Sequence, residues 1–178
     1  QRACVENCAH AGKPTVYDRK AINILASSTL PNEIDMQDLE KAKKRLHKKN
    51  LTLSIVKNDK IIFETASRGV SGFLEAIEKL ENQLEGASVA DRIVGKAIAL
   101  LCVYSKVKAV HATVLSKKAK AVFEENVVYH EWNGLVESIL DASKTGVCPF
   151  EKLAEKISDP TDAYRRLKAL QTSLKHCR

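Results

Sequence analysis

The sequence predicts an α/β fold: a three-layer α/β/α sandwich built on a mixed sheet of about four to five strands. Three observations carry that expectation. Residues 51–56 alternate like a half-buried strand, Asn58-Asp59 supplies a tight turn, and residues 60–64 return as the second arm of a hairpin. Residues 107–115 are β-branched and apolar enough for the middle of a sheet. Segments with helical periodicity stand between and around these strands.

Taken in order, residues 38–49 form an amphipathic helix with Leu39, Ala42 and Leu46 on one face, so the compact domain is expected to begin near Asp35. The hairpin follows, and Ser67-Arg68-Gly69 is a loop into a helix over 72–84 that sets Phe73, Leu74, Ile77, Leu80 and Leu84 on one side; Gly86 closes it. A second helix is predicted from about Val89 to Tyr104, with Ser88 and Asp91 spaced as a capping box. Gly95 then falls inside that helix at a cost of roughly 0.5–1 kcal/mol relative to alanine, which a close-approaching backbone or ligand would explain. The strand at 107–115, a helix capped by Ser116 and running through Glu125, and a strand at 127–132 make a parallel crossover unit. The tail is read as helices at about 134–142, 149–157 and 161–175, with Asp159-Pro160 punctuating the last two.

The 178 residues are 44% hydrophobic and 29% charged, enough apolar content for one real core; aromatics are 5%, so that core is aliphatic. No apolar run approaches the ~18 residues of a membrane span. The chain opens on Gln1-Arg2-Ala3-Cys4, which reads as neither a signal peptide nor an initiator methionine, so a trimmed chain or a piece of a longer one is expected. The formal charge of +7 is densest at Lys41, Lys43, Lys44, Arg45, Lys48 and Lys49, on a helix that also carries Asp38 and Glu40. That mixture reads as a solvated helix face, and the alternation of basic and aromatic residues that lines single-strand grooves is missing. Five irregularly spaced cysteines argue against a disulfide framework and for reduced thiols in the cytoplasm.

Residues 1–34 stand apart from the domain at 35–178. Cys4 and Cys8, with His10, and His176 and Cys177 at the far end, are metal-ligand types, but their spacing fits no zinc template; no metal cofactor is expected, and zinc or an iron–sulfur cluster at Cys4 and Cys8 is the alternative. Residues 17–28 suit a short helix ahead of Leu30-Pro31-Asn32. Cys102 lies in an apolar run and reads as core; His111 and His130 fall in strands and read as packed or surface histidines.

Chemistry concentrates in two places. Thr145-Gly146-Val147-Cys148-Pro149-Phe150-Glu151 is a small-residue turn that delivers a cysteine to the mouth of a helix, with proline at its first position. A thiol there faces unpaired N–H groups and the positive end of the helix dipole, which favour the thiolate; Glu151 is spaced as the acid of a capping box. The second place is Asp91 to Lys96, where Lys96 has either Asp91 or a phosphate to neutralise. The residues alone leave two readings. Asp91 and Glu151 cap their helices around a semi-buried Cys148, or Cys148, Asp91 and Glu151 form a catalytic set beside the ligand-binding residues Arg68, Gly95, Lys96, Thr145 and Gly146.

Ala90-Asp91-Arg92-Ile93-Val94-Gly95-Lys96-Ala97, together with the 145–151 turn, resembles an uncharacterised bacterial and archaeal domain-of-unknown-function family with a cytidine-deaminase-like fold. The hairpin and Ser67-Arg68-Gly69 match that family's opening section, and the resemblance spans about residues 38–167. It implies a crevice where strand C-termini meet helix N-termini, expected near Ser88, Ser116 and Cys148. Zinc deaminases need a His or Cys ligand with a nearby glutamate, then P-C-x-x-C. With Val89-Ala90-Asp91 taken as the first helix opening and Ser116-Lys117-Lys118-Ala119 as the second, those ligands are absent. The expectation is a non-zinc, deaminase-like domain that binds a nucleotide-like or phosphorylated small molecule, with no membrane, no nucleic acid, and a homodimer as the default assembly. The alternatives are a Cys148-dependent enzyme or sulfur carrier, a metal or iron–sulfur accessory module, and a basic interaction domain.

Overall fold

A five-stranded mixed sheet organises the computed structural model, which describes residues 32–176. The first element, α1 (Glu33–Lys48), starts five residues earlier than its apolar pattern predicts because Asn32 and Asp35 close a capping box. Asn32 Oδ1 accepts from the Asp35 N–H at 2.9 Å and the Asp35 carboxylate accepts from the Asn32 N–H at 2.8 Å.

The hairpin forms as expected, from β1 (Leu53–Lys57) and β2 (Lys60–Thr65). Asn58 and Asp59 both take left-handed backbone angles, φ 52° and 59°, which is what a two-residue turn needs to follow the strand twist. Asp38, buried on α1, accepts from the Asp59 N–H at 2.7 Å, and Lys41 reaches the Asp59 carboxylate at 2.7 Å, so helix and turn are stitched together. Next comes α2 (Val70–Leu80), tailed by a 3-10 turn, and Gly86 at φ +74° leads out of it.

The predicted helix over 89–104 is corrected here. Ser88–Val94 is a strand, β3, and the helix α3 (Lys96–Tyr104) begins only after Gly95. A short run buried on both faces has no periodicity to separate strand from helix, and the Ser-x-x-Asp letters imitate a capping box. Instead the Ser88 hydroxyl donates to the Asp35 carbonyl at 2.9 Å, and Asp91 accepts from the Ile93 N–H at 2.9 Å. Gly95 is therefore the N-cap of α3, not an interior residue.

After β4 (Ala109–Ser116), Ser116 caps α4 (Lys117–Glu125) as expected, its hydroxyl accepting from the Ala119 N–H at 3.1 Å. β5 (Tyr129–Val136) runs through the start of the predicted 134–142 helix, which does not form: pairing with β4 continues to Ser116 and Val136, and residues beyond it make a loop with one bridge, Leu140 to Val147. α5 (Pro149–Glu155) and α6 (Pro160–His176) complete the described chain.

The strand order is β2-β1-β3-β4-β5, with β3, β4 and β5 parallel and β1 antiparallel to both its neighbours. Alternation sends Val56 and Ala90 toward Ala42 and Leu46 of α1, while Leu53, Ile55 and Val89 join Phe73, Leu101 and Leu167 in the larger core under α2–α6. One helix covers one face and the others cover the opposite face, giving the three layers. Part of the basic cluster of α1 and its C-cap enters ion pairs: Lys43 with Glu131 at 2.7 Å, Arg45 with Glu64 at 2.6 Å and Lys49 with Glu64 at 3.0 Å. The Arg45 hydrogen bond above all, helped by Lys49, holds the Glu64 carboxyl below its ordinary range. Among the described residues no helix is long and apolar enough to cross a membrane.

Because Asp38 is buried and its partner is a backbone N–H, Asp38→Ala leaves that donor unmet and is expected to lower stability by about 1–2 kcal/mol in urea denaturation. A change below about 0.3 kcal/mol would mean the α1–turn contact does not form.

Candidate anion site at two helix N-termini

β2, β3, β4 and β5 point the same way, so α3 and α4 both open at one edge of the sheet, over neighbouring strands. A helix opening leaves unpaired N–H groups. α4 meets this with Ser116; α3 has only Gly95, which offers no side chain. The missing acceptor is Glu151, carried in by α5.

Its carboxylate accepts from the Lys96 N–H at 3.0 Å, more weakly from the Ala97 N–H at 3.4 Å, and from the Ser116 hydroxyl at 3.2 Å. Glu151 is only 3% exposed. Three donors and two helix N-termini suit a negative charge taken out of water. The capping box expected between Cys148 and Glu151 therefore does not form: Glu151 reaches across to α3 instead of back along its own helix. Two lysines fasten the far end of α5, Lys96 Nζ donating to the Glu155 carbonyl at 3.0 Å and Lys118 to its carboxylate at 2.6 Å.

This arrangement explains Gly95. A Cβ there would overlap the Glu151 carboxylate, 2.9 Å from its Cδ, and lie 2.9 Å from Ile139 Cγ1. The close approach that the sequence points to is real, and its agent is the chain's own side chain.

Gly95, Lys96 and Glu151 are thus brought together; the other residues singled out in the sequence lie around them or apart. Cys148 is the N-cap of α5, free and half-buried, with no side-chain capping bond; its N–H donates to the Ile139 carbonyl at 3.0 Å. Thr145 and Gly146 belong to a loop wound on Asp141, which accepts from Ser143 Oγ at 2.8 Å and from the Thr145 N–H at 3.1 Å. The Ser143 hydroxyl first, then the N–H groups of Thr145, Gly146 and Lys144, hold the Asp141 carboxyl below its ordinary range. Arg68 stands on an exposed loop after β2, its side chain without a hydrogen bond or ion pair to any of the described residues; β1 intervenes between its strand and β3. Two shallow surface concavities, one along α1 at Met36, Lys41 and Lys44 and one at Gly86, Lys106 and Asn126, include none of these residues.

Asp91 is buried on β3 facing the larger core, in register with Leu53 and Ala112. Burial pushes its carboxyl up to about 7, against the pull of the Ile93 and Arg92 N–H groups. Burial, with the nearby Asp91 charge, also pushes the Cys102 thiol of α3 well above its ordinary value.

No group of three His, Cys, Asp or Glu able to hold a metal ion is found among the described residues; Cys4, Cys8, His10 and Cys177 lie outside them, as does the predicted 17–28 helix. One cluster goes beyond the sequence reading of His111 as a packed histidine. Buried His111 pairs its Nδ1 with Glu131 at 3.0 Å, and Glu131 in turn binds Lys43, while His111 Nε2 meets no partner. His130 stacks on Trp132, and burial pulls its imidazole below the usual histidine value.

The raised carboxyl of Asp91 has a definite signature. An unfolded aspartate gives up its proton near 4 and the folded one near 7, so the folded state binds more protons between those values, and stability falls as pH rises through that window. Asp91→Asn is expected to remove this dependence, the variant gaining on the parent chain by up to about 4 kcal/mol from pH 4 to 8. Parallel stability curves for the two proteins would contradict the burial of a titrating Asp91.

A family model described as TM1506, a domain of unknown function (DUF1893), matches residues 41–170. The crystal structure of a DUF1893 family protein (TM1506) from Thermotoga maritima superposes with a TM-score of 0.73 at 28% identity, over 83% of this chain and 97% of that one. Acinetobacter baumannii RibD aligns at a TM-score of 0.36 and 22% identity, over 69% of this chain and 36% of that one, a likeness too slight to build on. No curated protein matches the chain. With the match spanning most of the sequence and the fold shared along nearly the whole Thermotoga protein, the chain belongs to the DUF1893 family.

Proposed function

We propose that the domain is a non-zinc, cytidine-deaminase-like module that binds a nucleotide-like or phosphorylated small molecule where α3 and α4 open side by side. The observation that carries this reading is the Glu151 carboxylate, an anion already seated on the Lys96 and Ala97 N–H groups and the Ser116 hydroxyl. Donors that hold a carboxylate there also suit a phosphate. Lys96, Lys117, Lys118 and Lys152 stand on the three helices that meet at this point and favour an incoming anion. The incoming group takes over donors that Glu151 holds, so Glu151 is both the site's internal competitor and its nearest carboxylate for proton transfer. Asp91, titrating near 7, lies on the strand that leads into α3 and is the second acid/base candidate.

The deaminase-like reading draws on the hairpin and on successive parallel strands, each followed by a helix, that set two helix N-termini together. With the helix opening corrected, the residues standing at the first ligand position are Gly95-Lys96-Ala97, and those at the second are still Ser116-Lys117-Lys118-Ala119. Neither opening holds a His or Cys, and so neither offers the donor set that zinc hydrolysis of an amine needs. A second reading, a Cys148-dependent enzyme or sulfur carrier, draws on the free, half-buried thiol at the start of α5.

Isothermal titration with cytidine 5′-monophosphate and with inorganic phosphate tests the leading reading. Saturable binding is expected, weakened roughly tenfold or more in Lys96→Ala with the melting temperature nearly unchanged, since the Lys96 ammonium makes only an exposed contact to Glu155. Cys148→Ser is expected to bind like the parent. Absence of binding by both probes, or binding indifferent to Lys96, would sink the proposal.

A further inference from the structure

The two margins of the sheet are built differently. On the outer strand β2, Glu64 is tied to Arg45 and Lys49, Lys60 is exposed, and the ladder to β1 is irregular between Ile55 and Val56. Charges and irregularities of this kind keep an edge from pairing with another chain.

β5, at the opposite margin, has no such irregularity, and its one ion-paired charge, Glu131, is held by Lys43 of α1 much as Glu64 is held by Arg45. The strand pairs with β4 in unbroken register from Tyr129 to Val136 and contains no proline. Its one Asp, Glu, Lys or Arg side chain, Glu131, is drawn inward by His111 and Lys43. α4 packs against the strand's face, and the loop after it turns back across the sheet, since Ile139 lies against the Gly95 position at the end of β3. Among the described residues, no backbone hydrogen bond from residues 130–136 goes to anything except β4. The outer row of N–H and C=O groups is open, and Leu135 beside it is 42% exposed.

We infer that β5 pairs antiparallel with β5 of a second copy of this chain across a two-fold axis, joining the two sheets into one. An open ladder of backbone donors and acceptors calls for a strand. That the strand is β5 itself follows from its charge pattern. Antiparallel pairing about Asn133, near the middle of β5, sets Glu131 opposite Leu135 of the second copy on the same face of the joined sheet, so no like charges meet. A foreign acidic or basic strand finds no outward charge on β5 to select it.

Light scattering on the eluting full chain tests this. The parent chain is expected at about twice its 19.7 kDa. Leu135→Glu places a carboxylate against Glu131 of the second copy and is expected to give a monomer with an unchanged circular dichroism spectrum. Asn133→Glu, also at an exposed side chain on β5, repeats the test should Leu135→Glu fail to fold. Ile34→Glu, at an exposed residue on α1, is expected to remain dimeric. A monomeric parent chain, a dimer that survives both β5 variants, or one broken by Ile34→Glu instead would overturn the inference.

Discussion

One carboxylate holds the working edge of this domain together. Glu151 is buried against α3 and α4, three donors converge on it, and without it the opening of α3 has no acceptor of its own. Much else is arranged around that constraint. Gly95 has no side chain because the carboxylate occupies the space where one would go. Ser116 caps its own helix and donates to Glu151, so a single hydroxyl links two helix openings. α5 is only seven residues long, too short to persist alone, and is fixed chiefly by this buried contact, the solvent-exposed Lys96 and Lys118 bonds to Glu155 adding little.

The same physics makes the site interesting chemically. Helix openings attract anions whether the anion is a side chain or a ligand. Here the anion is the chain's own Glu151 carboxylate, which under the proposed function a ligand would have to displace. Burial pushes the carboxyl of Asp91, four residues ahead of the α3 opening at Gly95, up to about 7. The oxygen-rich, lysine-rimmed character of this edge contrasts with the opposite face, where α1 lies over buried His111 and its half-buried partner Glu131.

Much of the fold was legible from local chemistry. The hairpin announced itself through Asn58-Asp59, α4 through its Ser116 cap, and the central β4 through its β-branched run. What failed were the segments where local letters and long-range pairing disagree. Residues 88–94 carry a capping-box spacing, yet lie between β1 and β4, where strand pairing on both sides outweighs any helix start. Residues 134–136 continue β5 because β4 is long enough to keep pairing with them. At the site, the sequence pointed to Gly95, Lys96 and Glu151 but could not say that they meet. Glu151 looked like a local capping acid because its partner lies 55 residues away. The available hint was Cys148 itself, a poor capping residue, which left Glu151 without a reciprocal partner on its own helix.

The contact between Gly95 and Glu151 is tested most directly by a double-mutant cycle in chemical denaturation. Gly95→Ala drives a methyl into the carboxylate, and Glu151→Ala removes the obstacle while leaving the α3 donors unmet. Each single change is expected to cost about 2–4 kcal/mol. Because the carboxylate is gone in the double variant, leaving only Ile139 Cγ1 against the added methyl, its loss should fall short of the sum by about 1 kcal/mol or more. Losses that add to within about 0.5 kcal/mol would mean that Glu151 does not sit on the opening of α3, and the account of this edge would fail with it.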